Sequence, residues 1–342
     1  MNRTMTVRAA AGLLFCLYGL VLLAGFFAPY DPADQDRDHP FAPPTRIHFV
    51  DAQQQFHIRP FVYAWTNRPD IFAEYEEDRT RPLSVRFLAS GAEYELLGFL
   101  TCRRHLFRVD EPGRVFLLGT DGYGRDQFSR LLWGGRISLF AGLIAATLSL
   151  SLGTLVGTTS GYFGGFADDT LMRLAELFLA VPWLYLLFAV RAFLPLRISA
   201  STAFLLLVVV IGIVGWARPA RLIRGVVLSA KERNYVRAAR GFGASDVYIL
   251  RRHILPQTFG VLLTQAAILV PQYILAEVTL SFLGLGVGEP VPSWGNMLAA
   301  LQQYHVLASY WWMLAPGVVL IPVFWGYHVL ADFLHERLEW AH

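Results

Sequence analysis

The sequence predicts an all-α membrane protein of about six transmembrane helices, with a small extracytoplasmic insertion of mixed α/β content. Three observations predict it. Of the 342 residues, 55% are hydrophobic and 16% charged, against about 25% charged in an ordinary soluble domain. Uncharged windows at Ile137–Ala167, Ile198–Ala217 and Ile254–Ala276 each exceed the roughly 18–20 apolar residues that cross hydrocarbon. Further apolar stretches at Ala9–Tyr30, Leu177–Val190 and Val306–Ala331 bring the candidate spans to six.

Residues 1–30 read as an N-terminal membrane anchor. Arg3 and Arg8 precede the apolar run, and Ala24-Gly-Phe-Phe-Ala-Pro29 is a poor cleavage site, so a retained anchor with a cytoplasmic N-terminus is expected. Residues 31–130 form the extracytoplasmic insertion and the segment leading into the second span. Between Asp31 and Arg114 there are 14 acidic and 11 basic residues. Leu83–Leu88 and Tyr94–Leu100 read as short strands, while Pro40, Pro43, Pro44 and Pro60 break the earlier part. His39, His48, His57 and His105 match no metal-ligand spacing and are expected as scattered surface histidines. Cys16 and Cys102 fall in different segments and predict no disulfide framework.

Residues 131–335 form the core membrane domain and 336–342 a cytoplasmic tail. In the third span Arg173 and Glu176 share a helical face, and Pro182 lies inside it; the sixth contains Pro316 and Pro322. Each proline serves either a packing kink or a hinge. Glu277, in the fifth span, is the main intramembrane charge. Such a group is expensive in hydrocarbon and faces a bundle interior or cavity. It either lines or gates a translocation path, or pairs structurally with an arginine such as Arg191 or Arg197.

The loop at Ala217–His253 holds nine basic residues (Arg218, Arg221, Arg224, Lys231, Arg233, Arg237, Arg240, Arg251 and Arg252) against Glu232 and Asp246. The positive-inside rule places it in the cytoplasm, as does counting spans from an internal N-terminus. The C-terminus then lies inside as well. Ser229-Ala-Lys-Glu232 reads as a capping box starting a helix to about Arg240. Gly241-Phe-Gly243 stops that helix, and Ser245 caps a second short one over Asp246–His253 before Pro256 re-enters the membrane. Ala238, Ala239, Gly241, Gly243 and Ala244 concentrate small residues at the turn. They suit docking of a partner's backbone or simply a tight intrachain turn.

Tyr235-Val-Arg-Ala-Ala-Arg-Gly-Phe-Gly243, followed by Arg252-His-Ile-Leu-Pro256, resembles the EAA loop of binding-protein-dependent ABC importers. The spacing fits from Ala238-Ala239 through Gly243 to Leu255-Pro256. Arg237 stands where Glu is usual in that family, and His253 where Ile is usual. Leu118-Gly-Thr-Asp-Gly-Tyr-Gly-Arg-Asp-Gln-Phe-Ser-Arg-Leu-Leu132 with Gly135-Arg-Ile-Ser-Leu139, Gly161-Tyr-Phe-Gly-Gly165 with Leu171-Met-Arg173, and Leu280-Ser-Phe-Leu-Gly-Leu-Gly286 with Pro292-Ser-Trp-Gly295 resemble the dipeptide and oligopeptide permeases of the "C" type. These motifs cover about residues 117–330. The long external insertion resembles the microcin C and long-peptide branch, while Val329–Arg337 keeps only fragments of the family's ending.

The resemblance implies the type I importer permease fold, in the bacterial inner membrane. It implies a peptide-importing permease subunit that forms half of a translocation path, with a coupling loop at 217–256 that includes Ser229, Glu232, Arg237, Ala238, Ala239, Gly241, Gly243, His253, Leu255 and Pro256. The implied partners are a homologous permease in a heterodimer, two ATPase subunits that carry ATP and Mg, a soluble or lipid-anchored binding protein, and membrane lipid. No nucleic-acid partner, metal or catalytic residue is implied on this chain. The single lysine, Lys231, stands in Ser-Ala-Lys-Glu-Arg rather than in the Gly-Lys-Ser/Thr step of a phosphate-binding loop, so ATP hydrolysis is expected elsewhere. Nickel or another small solute is an alternative cargo. An ion-coupled secondary transporter is less well supported, because no internal repeat is visible. A membrane-anchored enzyme would need a convergent catalytic set, which the external segment does not show.

Overall fold

A computed structural model of the chain describes residues 3–67, 75–96, 100–111, 113–192 and 199–339. It begins with helices α1 (Arg3–Leu22) and α2 (Ala24–Phe27), then strands β1 (His48–Val50), β2 (Phe56–Asn67), β3 (Tyr75–Leu96) and β4 (Leu100–Val109). Helices α3 (Gln127–Phe163), α4 (Gly165–Ala180), α5 (Trp183–Ala192), α6 (Ala200–Val214) and α7 (Ala217–Lys231) follow. After them come α8 (Asn234–Gly241), α9 (Asp246–Ile249), α10 (Leu255–Phe282), α11 (Trp294–Ala299), α12 (Tyr304–Ser309) and α13 (Ala315–Glu339). The chain divides into two compact units. One comprises Met1–Leu14, Phe140–Leu280 and Pro322–His342, the other Phe15–Leu139 and Ser281–Ile321.

Among the described residues, four helical stretches are long and apolar enough to cross a membrane: Arg3–Leu22, Gln127–Phe163, Asp246–Phe282 and Trp311–Arg337. Two bent pairs raise the count to six if each is one span: Gly165–Ala180 with Trp183–Ala189 at 90°, and Phe204–Val214 with Ala217–Lys231 at 41°. The helical path thus bends within the expected third span, Leu177–Val190, and near the end of the expected fourth, Ile198–Ala217. Pro182 accounts for the first break, since a proline cannot donate to the preceding turn. Its carbonyl instead starts α5, accepting from Tyr185 N at 2.9 Å. Gly215 marks the second break. A Cβ there would fall 1.8 Å from the Tyr273 hydroxyl, which also bonds the Ser149 hydroxyl at 2.9 Å. Pro316 sits in the first turn of α13 and only Pro322 lies in its interior.

In the first unit the strongest packing constraint is a glycine stripe on α3. Gly153, Gly157 and Gly161 recur every four residues and so share one helical face. A Cβ on Gly157 would lie 2.5 Å from the Ala220 carbonyl oxygen and 3.1 Å from the Arg224 nitrogen. One on Gly153 would meet the Trp216 carbonyl oxygen at 3.2 Å, and one on Gly161 the Arg224 carbonyl oxygen at 3.0 Å. The atoms in the way are backbone atoms of α7 and of Trp216 just before it, together with the Cβ atoms of Pro219, Ile223 and Val227, none of which can rotate aside. Small residues of this kind let membrane helices approach closely and gain dispersion contacts. The apolar face that α7 presents, Ala220, Ile223, Val227 and Ala230, is buried throughout.

The second unit contains the insertion. In its described residues it is strand and loop, an antiparallel sheet of order β1-β2-β3-β4, not the mixed α/β content expected. Leu83–Leu88 lies within a much longer β3; of the expected Tyr94–Leu100 strand, Tyr94–Leu96 belongs to β3 and Leu100 to β4, and residues 97–99 lie outside the described residues. Pro60 lies inside β2, in the stretch where β1 and β2 slip register between His48–Phe61 and Val50–Phe56. A missing N–H disturbs no regular ladder bond there. Val62, Val85, Phe107, Val109 and Val115 form the insertion's core. His105 is not on the surface: it is buried, bridging the carbonyls of Ala28 at 2.7 Å and Ala92 at 3.0 Å. The other three histidines of the insertion each face a carboxylate, His39 on Asp36, His48 on Glu77 and His57 on Asp51.

Two of the sequence motifs meet in this unit. The Trp294 backbone N–H donates to the Ser138 hydroxyl at 3.1 Å, its indole N–H donates to the Leu131 carbonyl at 2.9 Å, and its ring covers Gly135. Ser293 and Asn296 cap α11 reciprocally.

The glycine stripe makes a direct prediction. Gly157→Leu forces α3 and α7 apart and lowers the thermal stability of the purified protein, by about 1–3 kcal/mol as for an overpacked core; Gly157→Ala falls in between. An unchanged melting temperature for Gly157→Leu would show that the contact is not tight.

Candidate functional site

The loop between α7 and α10 is built on the end of α7. Ser229 was expected to cap a new helix, but it sits exposed in the last turn of α7, which runs on to Lys231. No Ser229–Glu232 capping box forms. Burial of Val227 and Ala230 carries the helix past the cap signal, since packing of an amphipathic face outweighs a local propensity. The chain turns at Glu232 and Arg233, and α8 starts at Asn234 rather than Ala230.

The remainder follows the expected helix–glycine turn–helix order. Gly241 is the last residue of α8, and Gly243 takes φ +80°, a left-handed conformation that favours glycine. The Ser245 hydroxyl accepts from Tyr248 N and caps α9. A π turn at Leu250–Ile254 then leads into α10, with Leu255 its first residue and Pro256 exposed beside it. The second helix is therefore shorter than Asp246–His253, and the wider turn takes its C-terminal half. His253 lies in that turn, between the rings of Tyr235 and Tyr248, each 5.7 Å away.

An apolar base holds the loop. Val236, Ile249 and Ile254 are buried with Tyr162, Ile223, Val227 and Ala230, and Ala239 and Ala244 pack against them. Polar contacts fix the same base. The Tyr162 hydroxyl donates to Asp246 Oδ1 at 2.5 Å and accepts from Arg240 Nη2 at 3.1 Å. The Arg240 guanidinium also lies 5.5 Å from the Tyr162 ring centroid. Lys231 Nζ donates to the Gly161 carbonyl at 2.9 Å. Arg224 grips Asp168 through Nε and Nη2, both at 2.6 Å, the bidentate geometry that gives an arginine–carboxylate pair its directionality. Ser160 donates to the same carboxylate.

What faces outward differs from this base. Phe242, between the two glycines, is 94% exposed. Tyr235, Val247 and Tyr248 are also exposed, among Arg233, Arg251 and Arg252. Arg237 and Ala238 are exposed, and Arg237 pairs with Glu232, whose carboxyl it holds below the usual carboxylate range. Both members of that pair face solvent, where an ion pair adds little stability.

Glu277 is fully buried in α10. It lies 22 residues beyond Leu255, roughly 33 Å along the helix at 1.5 Å per residue, so it is not part of the loop. Arg197 and the side chain of Arg191 lie outside the described residues. Sequence reasoning did not single out Tyr162, Asp168 or Arg224 as supports of the loop. The four-residue spacing of Gly153, Gly157 and Gly161 was the readable signal that α3 closes on another helix; no local pattern points to the Tyr162–Asp246 bond, which joins residues 84 apart.

The Tyr162 bonds predict that Tyr162→Phe, which keeps the ring and removes the hydroxyl, destabilises the loop by about 1.5–3 kcal/mol, the range for a hydrogen bond to a charged group. Hydrogen exchange at α8 and α9 reads it: faster exchange there than in the wild type is expected, and identical protection would contradict the assigned geometry.

Residues 153–340 match the family model described as "Binding-protein-dependent transport system inner membrane component". The chain is 37% identical to a dipeptide transport system permease protein of Bacillus subtilis over 229 residues, 67% of this chain and 69% of the relative. It is 37% identical to an oligopeptide transport system permease protein of the same organism over 238 residues, 69% of this chain and 75% of the relative. Among solved structures, a chain of the MetNI methionine ABC transporter in an inward-facing conformation is similar with a TM-score of 0.46 and 17% identity, over 60% of this chain and 95% of that one. The matched region takes in the glycine stripe, the loop and the helices that carry them. On this match the chain belongs to the family of inner membrane components of binding-protein-dependent transport systems.

Proposed function

We propose that this chain is the permease subunit of an ATP-driven peptide importer, and that the loop at Ser229–Pro256 is where a separate ATPase subunit docks. The observation that carries the docking reading is the contrast within the loop. Its base is buried and bonded, while Phe242 stands 94% exposed on a glycine turn. An aromatic side chain held out on a fixed turn suits the role of an anchor in a partner's pocket, the usual centre of an interface. Membership of the family and the 37% identity to two peptide permeases support peptides as the cargo.

In this reading the chain has the type I permease fold, lies in the inner membrane with both termini in the cytoplasm, and forms half of a path with a homologous permease. Two ATPase subunits bind ATP and Mg, and a soluble or lipid-anchored binding protein delivers the peptide to the external face. Nine basic residues in the 217–253 loop support its cytoplasmic placement. ATP-driven closure of the ATPase pair would push on Phe242 and its turn. The bonds from α8 and α9 to Tyr162 make the loop a stiff lever, so the push reaches α7 and α10 instead of being absorbed. The bends at Pro182 and Gly215 are where the membrane helices could yield. Glu277, buried in α10, lines or gates the path. This chain carries out transport and no covalent chemistry.

Gly243→Glu removes the left-handed glycine and adds an anion to the docking turn; it should abolish uptake and ATPase association. Phe242→Ala, which leaves the fold of an exposed residue intact, should lower ATP-driven peptide uptake at least tenfold in reconstituted vesicles. Normal uptake in both variants would refute the docking site.

A further inference from the structure

The motif Asp121–Arg130 takes no part in the loop, yet it lines a cavity in the chain's second unit that holds two arginines and two carboxylates. This cavity, about 600 Å³, is bounded by residues 121–130 and by the glycine-rich segment and helices after α10. That size lies within the range of small-molecule sites. Two guanidinium groups reach it. Arg130 is 1% exposed and Arg125 5% exposed. Full burial of two cations side by side is costly unless each is matched by an anion.

The matching is unequal. Asp121, itself buried, accepts from Arg125 Nε at 2.7 Å and lies 3.6 Å from Arg130 Nε. The second carboxylate is Glu289. It accepts from Arg130 Nη2 at 2.9 Å and from Arg125 through Nη1 and Nη2, and its side chain is 46% exposed. Glu289 directly follows the segment Gly284-Leu-Gly-Val-Gly288, where Gly284 adopts φ +74°. Arg130 Nε has no hydrogen-bond partner among the described residues. Without Glu289 the site would hold two buried guanidinium groups against one carboxylate, a net charge of +1.

We propose that this cavity is a carboxylate-binding site and that Glu289 is its built-in occupant, which the C-terminal carboxylate of an incoming peptide displaces. The inference rests on the reading of the chain as a peptide permease and adds the chemical group that it recognises. The paired guanidinium groups suit a carboxylate, which accepts two parallel N–H bonds. Glu289 already shows that a carboxylate fits. Its half-exposed side chain and glycine-rich tether let it leave without unfolding the site, whereas the buried Asp121 stays and keeps the arginines in place.

The test uses the intact transporter, purified without its binding protein and without ATP, with trialanine and trialanine amide as probes. Calorimetry should show trialanine binding at least tenfold more tightly than the amide. In Glu289→Gln, which keeps the hydrogen-bonding shape and removes the competing charge, trialanine affinity should rise about fivefold or more while the amide is unaffected. Arg125→Gln should erase the difference between the two probes. Its melting temperature, measured in parallel, identifies misfolding; if it is misfolded, Glu289→Gln alone decides. Equal binding of the two probes by the wild type, or weaker trialanine binding by Glu289→Gln, would overturn the proposal. ATP-driven peptide uptake by the wild type, with its binding protein present, tests the permease reading separately, so the two can fail independently.

Discussion

The contact between the α3 glycines and the α7 backbone is the constraint on which the first unit depends. In hydrocarbon, two helices gain nothing by hiding apolar side chains from lipid, so association rests on close packing and on hydrogen bonds that lipid cannot supply. Gly153, Gly157 and Gly161 provide the close packing, with α7 backbone atoms where their side chains would be. The polar bonds lie at the end of the stripe. Lys231 reaches the Gly161 carbonyl, and Arg224 reaches Asp168 just beyond it. Once α7 is seated, its buried face runs to Ala230, and the loop begins where that face ends. The start of α8, the burial of Val236 and the bonds of Tyr162 all follow from this register.

The second unit solves a different problem. It buries charge, and does so by matching it. Arg125 and Arg130 would each be costly alone; with Asp121 and Glu289 they form a connected set in which most donors have an acceptor. Such sets add little net stability compared with apolar packing, but removing one member leaves an uncompensated charge. The sheet in the same unit follows ordinary rules, with its core residues from β2, β3 and β4 turned to one side.

Much of this was legible in the sequence. Length and charge depletion marked the membrane helices, and Pro182 marked a break. Gly243 and Ser245 marked the glycine turn and the cap, because each acts on backbone groups within a few residues of itself. Ser229 misled because it carries a valid local signal that the burial of α7 overrides. Pro60 misled because a bulge tolerates it inside a strand. The long strands of the insertion escaped notice because Tyr75–Leu96 is rich in charged residues on its exposed side, so its apolar alternation is weak. The tie between Tyr162 and the loop, and that between Glu289 and Arg130, span 84 and 159 residues. No periodicity encodes such pairs; they follow only from the packing that brings their helices together.

The central claim, that the exposed turn of this loop docks on an ATPase, is tested most directly by placing a photo-crosslinking residue at position 242 of the assembled transporter and identifying what it captures. The account predicts an adduct with the ATPase subunit, lost when the crosslinker is moved to the buried position of Val236. Adducts with lipid or with the second permease alone, or none with the ATPase, would contradict it.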